Sequence, residues 1–288
     1  MKKLIIGTAQ LGSRYGISNY NKKKKKNKKK ITQFLEFCYQ NSLNSFDTAS
    51  DYESEKILGE FIKDNFIKKF NISTKIPSLK LLKDSKKFDF IKKSIETSLS
   101  KLNVDILDTV YFHDENDINF FRSNALKINN IFRKYKIKNL GYSLYSRKKF
   151  NILNKNKYVK SIQVPINIIN KDFQNIKSNK KIIGRSIFLQ GLLINSKLNT
   201  RNQILKKFNN KLFKLAEQEN IDLYSICLNF VLQYKEIKKI IIGFDNLNQL
   251  KGLLNFKRNL LYLDKNVRLI NSIIPPASYK QLTDPRKW

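Results

Sequence analysis

The sequence predicts an α/β fold, a single-domain (β/α)8 barrel, on three observations. Short apolar segments with strand character alternate with longer segments of helical periodicity along the whole chain. Eight such units in 288 residues average about 36 residues each, which suits this barrel. No linker or change of composition marks a domain boundary, so residues 1–288 are predicted to form one domain.

The strand candidates are short, largely apolar runs, a pattern typical of parallel strands buried on both faces. In chain order they are Leu4–Ile6, Ser45–Asp47, Phe70–Lys75, Leu107–His113, Ile137–Tyr142, Val159–Val164, Ile182–Ile187 and Lys239–Ile242. A doubly wound open sheet is the competing arrangement, and it often carries a G-x-G-x-x-G motif after its first strand. Gly7, Gly12 and Gly16 are spaced too widely for that motif, which favours the barrel.

Between the strands, apolar residues recur at steps of three and four, which predicts helices with one buried face. The stripes are Ile31, Phe34, Leu35 and Cys38; Ile57, Leu58, Phe61, Ile62 and Phe66; Ile91, Ile95, Leu99 and Leu102; Ile128, Ile131, Phe132 and Tyr135; and Leu223, Ile226, Cys227, Phe230 and Val231, with a further helix at Leu212–Glu219. The only two cysteines lie on these stripes, so they are predicted to be buried free thiols. Residues 275–288 show no clear period and are predicted to fold near the barrel mouth.

The chain is strongly basic, with 57 Lys and Arg against 23 Asp and Glu. The run Lys22–Lys30 holds eight lysines, but the remaining positive charge is spread along the chain. No aromatic residue interleaves the run, as a groove for single-stranded nucleic acid would require. A compositional bias toward Lys, Asn and Ile is therefore the favoured explanation, with polyanion binding as the alternative. No apolar run is long enough for a signal peptide or a membrane span, which predicts a cytoplasmic protein.

Four polar residues fall where a barrel places its chemistry, at or just after the carboxyl ends of strands. Asp47, Lys75 and His113 end three successive strand candidates, and Tyr52 follows Asp47 by five residues. A phenol is a weak acid with a pKa near 10, and a nearby ammonium lowers that pKa by stabilising the phenolate. The set therefore predicts a catalytic site in which Lys75 helps Tyr52 to donate a proton, Asp47 holds Lys75, and His113 donates a hydrogen bond to the substrate or orients it.

The stretch Phe46–Gly59, FDTASDYESEKILG, resembles the signature of the aldo-keto reductases, in which D-T-A, then Y, then S-E-x-x-L-G mark the second strand, its loop and the next helix. The family's Asp, Tyr, Lys and His occur in the same chain order at Asp47, Tyr52, Lys75 and His113. The resemblance implies reduction of an aldehyde, ketone or sugar carbonyl by hydride transfer from NADPH or NADH. A regulatory or low-activity member that only binds the cofactor is the alternative.

The resemblance also implies cofactor contacts and no metal. By position the cofactor residues are Gly7, Thr8, Ser143, Gln163, Arg185, Ser186, Gly191, Gly243, Asn246 and Gln249, with Asn167 beside Gln163 near the nicotinamide ring. Three positions depart from the family pattern. Leu144 replaces a frequent Asn, Arg185 replaces an aromatic that stacks on nicotinamide, and Asp245 lies where NADP-selective members place Lys or Arg. NADPH and NADH therefore both stay open.

The implied partner is a small carbonyl compound, and no specific nucleic acid is expected. The lysine run Lys22–Lys30 follows the first strand, at the predicted active-site rim. This position suggests attraction of an anionic substrate, such as a phosphorylated or nucleotide-linked sugar.

Overall fold

A computed structural model of the chain describes residues 3–12, 27–67, 70–170, 172–197 and 200–288. Eight parallel strands form a closed barrel in which each strand pairs with the next and β8 pairs with β1. They are β1 Leu4–Gly7, β2 Ser45–Asp47, β3 Asn71–Ile76, β4 Thr109–Phe112, β5 Asn139–Ser143, β6 Val159–Pro165, β7 Lys181–Arg185 and β8 Ile237–Gly243. The closure confirms the predicted barrel and excludes the open sheet, because an open sheet ends in two unpaired edges.

Helices surround the barrel. They are α1 Ala9–Gly12, α2 Lys28–Gln40, α3 Ser54–Asp64, α4 Asp84–Leu102, α5 Ile118–Lys134, α6 Arg147–Asn154, α7 Gln203–Gln218, α8 Leu223–Leu232, α9 Leu247–Leu254, α10 Leu263–Ser272 and α11 Tyr279–Thr283. Turns replace a helix in the described part of the link from β6 to β7, whereas two helices connect β7 to β8. In the part of the chain that the structure describes, no helix is long and apolar enough to cross a membrane.

The predicted elements exist, but several of their ends differ. Strand ends move by up to two residues, because pairing with neighbouring strands rather than apolar character decides where a strand stops. At β7 the strand ends at Arg185, since Ser186 has a left-handed φ of 58°. The prediction that Phe66 continues the buried stripe of α3 is wrong. The helix ends at Asp64, Phe66 has a φ of 51°, and its side chain is 87% exposed.

The two cysteines are free and buried, as predicted. Cys38 lies on the inner face of α2, and Cys227 lies on that of α8. Burial raises the pKa of the Cys38 thiol to about 12 and raises that of Cys227 as well. Both thiols are therefore protonated at neutral pH, and they act as small apolar core residues rather than nucleophiles.

Only part of the lysine run falls within the described residues. Lys22–Lys26 lie outside them, whereas Lys28–Lys30 form the first turn of α2 after the cap residue Asn27. Lys28 Nζ lies 3.0 Å from Glu60 Oε2 on α3 and forms an exposed ion pair. The suggested attraction of anionic substrates by this run stays a prediction.

A close contact between α3 and α4 depends on Gly59. A Cβ atom at this position would lie 1.9 Å from the carbonyl oxygen of Lys101 and 2.8 Å from Leu102 Cα. We expect Gly59→Ala to lower the free energy of unfolding by about 1–3 kcal/mol, because the backbone of α4 must move to make room. Urea unfolding measures the change.

Gly252 of α9 supplies the matched control, because a Cβ atom there meets nothing within 4 Å. Gly252→Ala is expected to stabilise the protein by up to about 1 kcal/mol, the difference in helix propensity. Equal effects of the two substitutions would show that helix propensity, and not the close contact, governs Gly59.

Candidate active site

A cavity of about 800 Å³ opens at the carboxyl ends of the strands. The sequence-predicted residues in its lining are Gly7, Thr8, Asp47, Tyr52, Lys75, His113, Ser143, Gln163, Arg185, Ser186, Gly191, Gly243 and Gln249. The cavity therefore brings together the proton-transfer set and nearly all the residues that the resemblance assigns to the cofactor. Among the described residues, no cluster of His, Cys, Asp and Glu could hold a metal ion.

Asp47 and Lys75 form a buried ion pair at the base of the cavity. Lys75 Nζ lies 2.5 Å from Asp47 Oδ2 and donates a second hydrogen bond of 2.7 Å to the carbonyl oxygen of Thr48. Gln163 Nε2 donates to Asp47 Oδ1 at 2.6 Å. The side chains of Lys75 and Asp47 are 6% and 8% exposed, so these contacts replace the hydrogen bonds that water would otherwise make to each charged group.

Tyr52 lies at the cavity wall on the short loop between β2 and α3, and it is half-buried. Its backbone N–H donates to the carbonyl oxygen of Ala49 at 2.9 Å, which closes a turn. Within the same loop, Ser50 Oγ donates to the carbonyl oxygen of Lys75 at 3.1 Å, and Lys101 Nζ donates to the carbonyl oxygen of Ser50 at 3.0 Å. The loop that carries the phenol is therefore fixed to the strand that carries the ammonium.

His113 follows β4, and its N–H donates to the carbonyl oxygen of Ile76 at 3.1 Å. Its imidazole is exposed to the solvent in the cavity, while the surrounding walls remove part of the bulk water. This desolvation, together with the positive charges of Lys75 and Arg185, lowers the pKa of His113 to about 4, against the opposing effect of Asp114. The ring is therefore neutral at pH 7, and one of its nitrogens carries a hydrogen-bond donor.

Because His113 is the only histidine, its titration can be measured directly by proton NMR. We expect a midpoint near pH 4 instead of the ordinary 6.5. Between these values the unfolded chain binds the proton and the folded chain does not, so the free energy of unfolding falls as the pH drops from 6.5 towards 4. His113→Gln should remove this contribution. A midpoint close to 6.5 would contradict the neutral role assigned to the ring.

Backbone strain marks the wall after β7. Leu189, Gln190 and Gly191 have consecutive left-handed φ values of 47°, 55° and 95°. This conformation suits Gly191 but costs energy at the two residues before it, and such strain is concentrated at functional sites. All three residues line the cavity. The predicted cofactor residue Gly191 is thus part of a strained loop that borders the cavity.

Asn246, a predicted cofactor residue, lies outside the cavity lining. It is the N-cap of α9, and its Oδ1 accepts the backbone N–H of Gln249 at 3.0 Å. In return, Gln249 Oε1 accepts the N–H of Asp245 at 2.8 Å, which completes a reciprocal cap. The ammonium of Lys251, the first basic residue after Asp245, lies 5.4 Å from the ring centre of Phe37.

Asn167 and Leu144 also lie outside the cavity lining. Asn167 is fully buried outside the lining, and its Nδ2 donates to the carbonyl oxygen of Ser186 at 3.1 Å. It therefore supports the wall of the cavity instead of facing it. The side chain of Leu144 is buried, and its carbonyl oxygen accepts a hydrogen bond from Arg185 Nη2 at 3.0 Å.

The lining residues that were not predicted from the sequence include Glu115, Tyr145 and Arg286. Glu115 Oε2 accepts the N–H groups of Tyr145 and Ser146 at 2.7 and 2.8 Å, and Glu115 Oε1 lies 3.2 Å from Arg286 Nη1. The sequence could have indicated two of them by their position just after a strand end. Glu115 follows His113 by two residues, and Tyr145 follows Ser143 by two.

Fold and site together define a class of protein, a (β/α)8 barrel with an Asp–Lys pair, a Tyr and a His in one cavity at the barrel mouth. The sequence matches the family model of the aldo/keto reductase family over residues 3–275. The chain therefore belongs to the aldo/keto reductase family, whose members are carbonyl-reducing oxidoreductases that generally use NAD(P)H.

Solved structures share the fold at low sequence identity. The glycerol dehydrogenase AKR11B4 from Gluconobacter oxydans is 20% identical, with a TM-score of 0.68 over 95% of this chain and 94% of that one. The thermostable aldo-keto reductase Tm1743, solved with the inhibitor epalrestat, is 18% identical, with a TM-score of 0.61 over 93% and 94% of the two chains. A comparison with curated proteins gives no match.

Proposed function

We propose that this protein reduces an aldehyde, ketone or sugar carbonyl with NADPH or NADH, and that Tyr52 is the proton donor. The observation that carries the proposal is the buried pair of Asp47 and Lys75 in one cavity with Tyr52 and His113. A structural ion pair alone would not require a phenol and an imidazole in the same cavity.

Lys75 makes the phenol a better acid in this proposal. An ammonium has three N–H donors, and those of Lys75 include one to Asp47 and one to Thr48. We assign the third donor to the phenol of Tyr52, where the positive charge would stabilise the phenolate that forms as the proton leaves. Proton transfer from Tyr52 to the developing alkoxide then becomes favourable at neutral pH. Asp47 and Gln163 keep the ammonium oriented.

His113 binds the carbonyl oxygen as a neutral donor. Its low pKa follows from desolvation and from the charges of Lys75 and Arg185, which oppose a further cation. A neutral imidazole donates one hydrogen bond to the oxygen and leaves proton transfer to Tyr52. The division resembles other sites in which the surroundings assign different protonation states to two neighbouring groups.

The cavity residues fit a nicotinamide dinucleotide. Gln163 Oε1 is buried and has no hydrogen-bond partner within the described residues, and an amide N–H of a carboxamide would satisfy it. Ser143 and Gln163 would hold that carboxamide, while the strained loop at Gly191 and the backbone near Gly243 and Gln249 would hold the phosphates. When bound, the dinucleotide supplies the hydride.

Fluorescence titration with NADPH and with NADH, followed by a carbonyl panel that includes sugars, tests the proposal. We expect saturable binding of at least one dinucleotide and turnover of at least one carbonyl compound. Binding without turnover across the panel would support the low-activity alternative. The absence of binding by either dinucleotide would contradict the proposal.

A further inference from the structure

Two guanidinium groups lie against one aromatic ring in the cavity wall. Arg185 Cζ is 4.1 Å and Arg286 Cζ is 3.9 Å from the ring centre of Tyr145. Arg185 ends β7, Tyr145 follows β5, and Arg286 belongs to the C-terminal segment, so three distant parts of the chain converge here. All three residues line the cavity.

The charges of the two arginines are compensated differently. Arg286 Nε and Nη2 donate to Asp284 at 2.9 and 2.7 Å, and Nη1 lies 3.2 Å from Glu115. Arg185, in contrast, has no carboxylate within 4.0 Å of its nitrogens among the residues that the structure describes. Its hydrogen bonds go to the carbonyl oxygen of Leu144 and, at 3.4 Å, to Ser186 Oγ.

The guanidinium of Arg185 also has more N–H donors than the hydrogen bonds described above use. It carries five N–H groups, and its Nε is buried with no hydrogen-bond partner in the described part of the chain. A partly buried cation without a counter-ion is unfavourable unless a ligand supplies one. A guanidinium matches the geometry of a carboxylate or phosphate, which accepts two parallel N–H bonds.

The charge of Arg185 acts on the same part of the cavity as the reacting groups. It contributes to the lowered pKa of His113, together with Lys75. Lys75 is already paired with Asp47, whereas Arg185 is not paired with a described carboxylate. An anion bound at Arg185 would therefore lie in one cavity with Tyr52 and His113.

Building on the function proposed above, we propose that Arg185 is a specificity-determining residue that binds an anionic group, a carboxylate or a phosphate, of the carbonyl substrate. Tyr145 supports the guanidinium from its ring face, and Leu144 fixes one of its nitrogens. Arg286 shares the Tyr145 ring but keeps its own carboxylate partners.

Two substrate pairs test this proposal and separate the two sources of anion. The carboxylate pair is 4-formylbenzoate and its methyl ester, and the phosphate pair is glyceraldehyde 3-phosphate and glyceraldehyde. We expect the wild type to favour the anionic member of one pair in kcat/KM. In Arg185→Met that preference should fall on the order of 10- to 100-fold, the effect of losing hydrogen bonds to a charged group. Arg185→Lys should recover part of the preference, because a lysine keeps the positive charge but lacks the planar guanidinium that donates two parallel hydrogen bonds.

Arg268→Met is the matched control, since it removes the same charge from an exposed position on α10 outside the cavity lining. This variant should keep the full preference for the anion. Thermal unfolding establishes that each variant is folded, and fluorescence titration measures its dinucleotide affinity. If Arg185→Met slows anionic and neutral substrates equally, Arg185 does not recognise the charge of the substrate and the proposal is overturned. A loss of dinucleotide affinity alone would assign the anion to the cofactor and would overturn it as well.

A binding measurement separates failure of this inference from failure of the proposed function. If the wild type reduces no carbonyl compound, the proposed function fails, while calorimetry with benzoate and with inorganic phosphate still tests the anion site. Binding of either anion that is lost in Arg185→Met and kept in Arg268→Met supports the site. No binding, or equal binding in wild type and Arg185→Met, overturns it.

Discussion

Replacing Tyr52 with phenylalanine is expected to lower kcat on the order of 10²- to 10⁴-fold, while dinucleotide affinity stays near that of the wild type. The substitution removes only the hydroxyl group, and the ring still occupies its place at the cavity wall. The loss therefore reports the proton that the phenol supplies and not the shape of the cavity. Single-turnover reduction measured by stopped flow separates this step from product release.

Tyr39→Phe is the matched control for this prediction. Tyr39 lies on α2, is 53% exposed, and is not part of the cavity lining, so its hydroxyl group should not affect turnover. A Tyr52→Phe variant with a kcat near that of the wild type would show that another group donates the proton. An equal loss in both variants would point to a general effect of removing hydroxyl groups.

Replacing Lys75 with methionine is expected to abolish reduction and to lower the free energy of unfolding by about 3–5 kcal/mol. The substitution leaves Asp47 charged and buried without its cation, and such a loss costs far more than the pair contributes by itself. The remaining hydrogen bond from Gln163 Nε2 compensates only in part. Urea unfolding and steady-state reduction measure the two effects on the same preparation.

A second substitution separates stability from chemistry at this site. The double variant Lys75→Met with Asp47→Leu removes both charges, so it should recover a large part of the lost stability and none of the activity. Lys92→Met is the surface control, because its exposed pair with Asp89 should contribute little to stability. If Lys75→Met were as stable as the wild type, the pair would not be the buried element described above.

The sequence by itself determined the barrel and the central residues of the cavity. Alternation of strands and helices is a local property, and the residue at a strand end is identified from its immediate neighbours. Asp47, Lys75 and His113 follow from this rule, because parallel strands in a closed barrel place all their carboxyl ends on one face. The exact strand ends do not follow from local sequence, because pairing with neighbouring strands decides them.

Tertiary structure alone decided the contacts between distant loops. Arg286 reaches Glu115 across 171 positions of sequence, and no periodicity or motif connects two residues so far apart. Asn246 shows the same limit, since only the structure places it at the N-cap of α9 and outside the cavity lining, and its contact with a cofactor stays a prediction. Whether Arg185 has a carboxylate partner also follows only from the tertiary structure, because the fold decides which carboxylates lie close to its guanidinium. Local sequence thus specifies the elements, while packing specifies their exact ends and which charges meet.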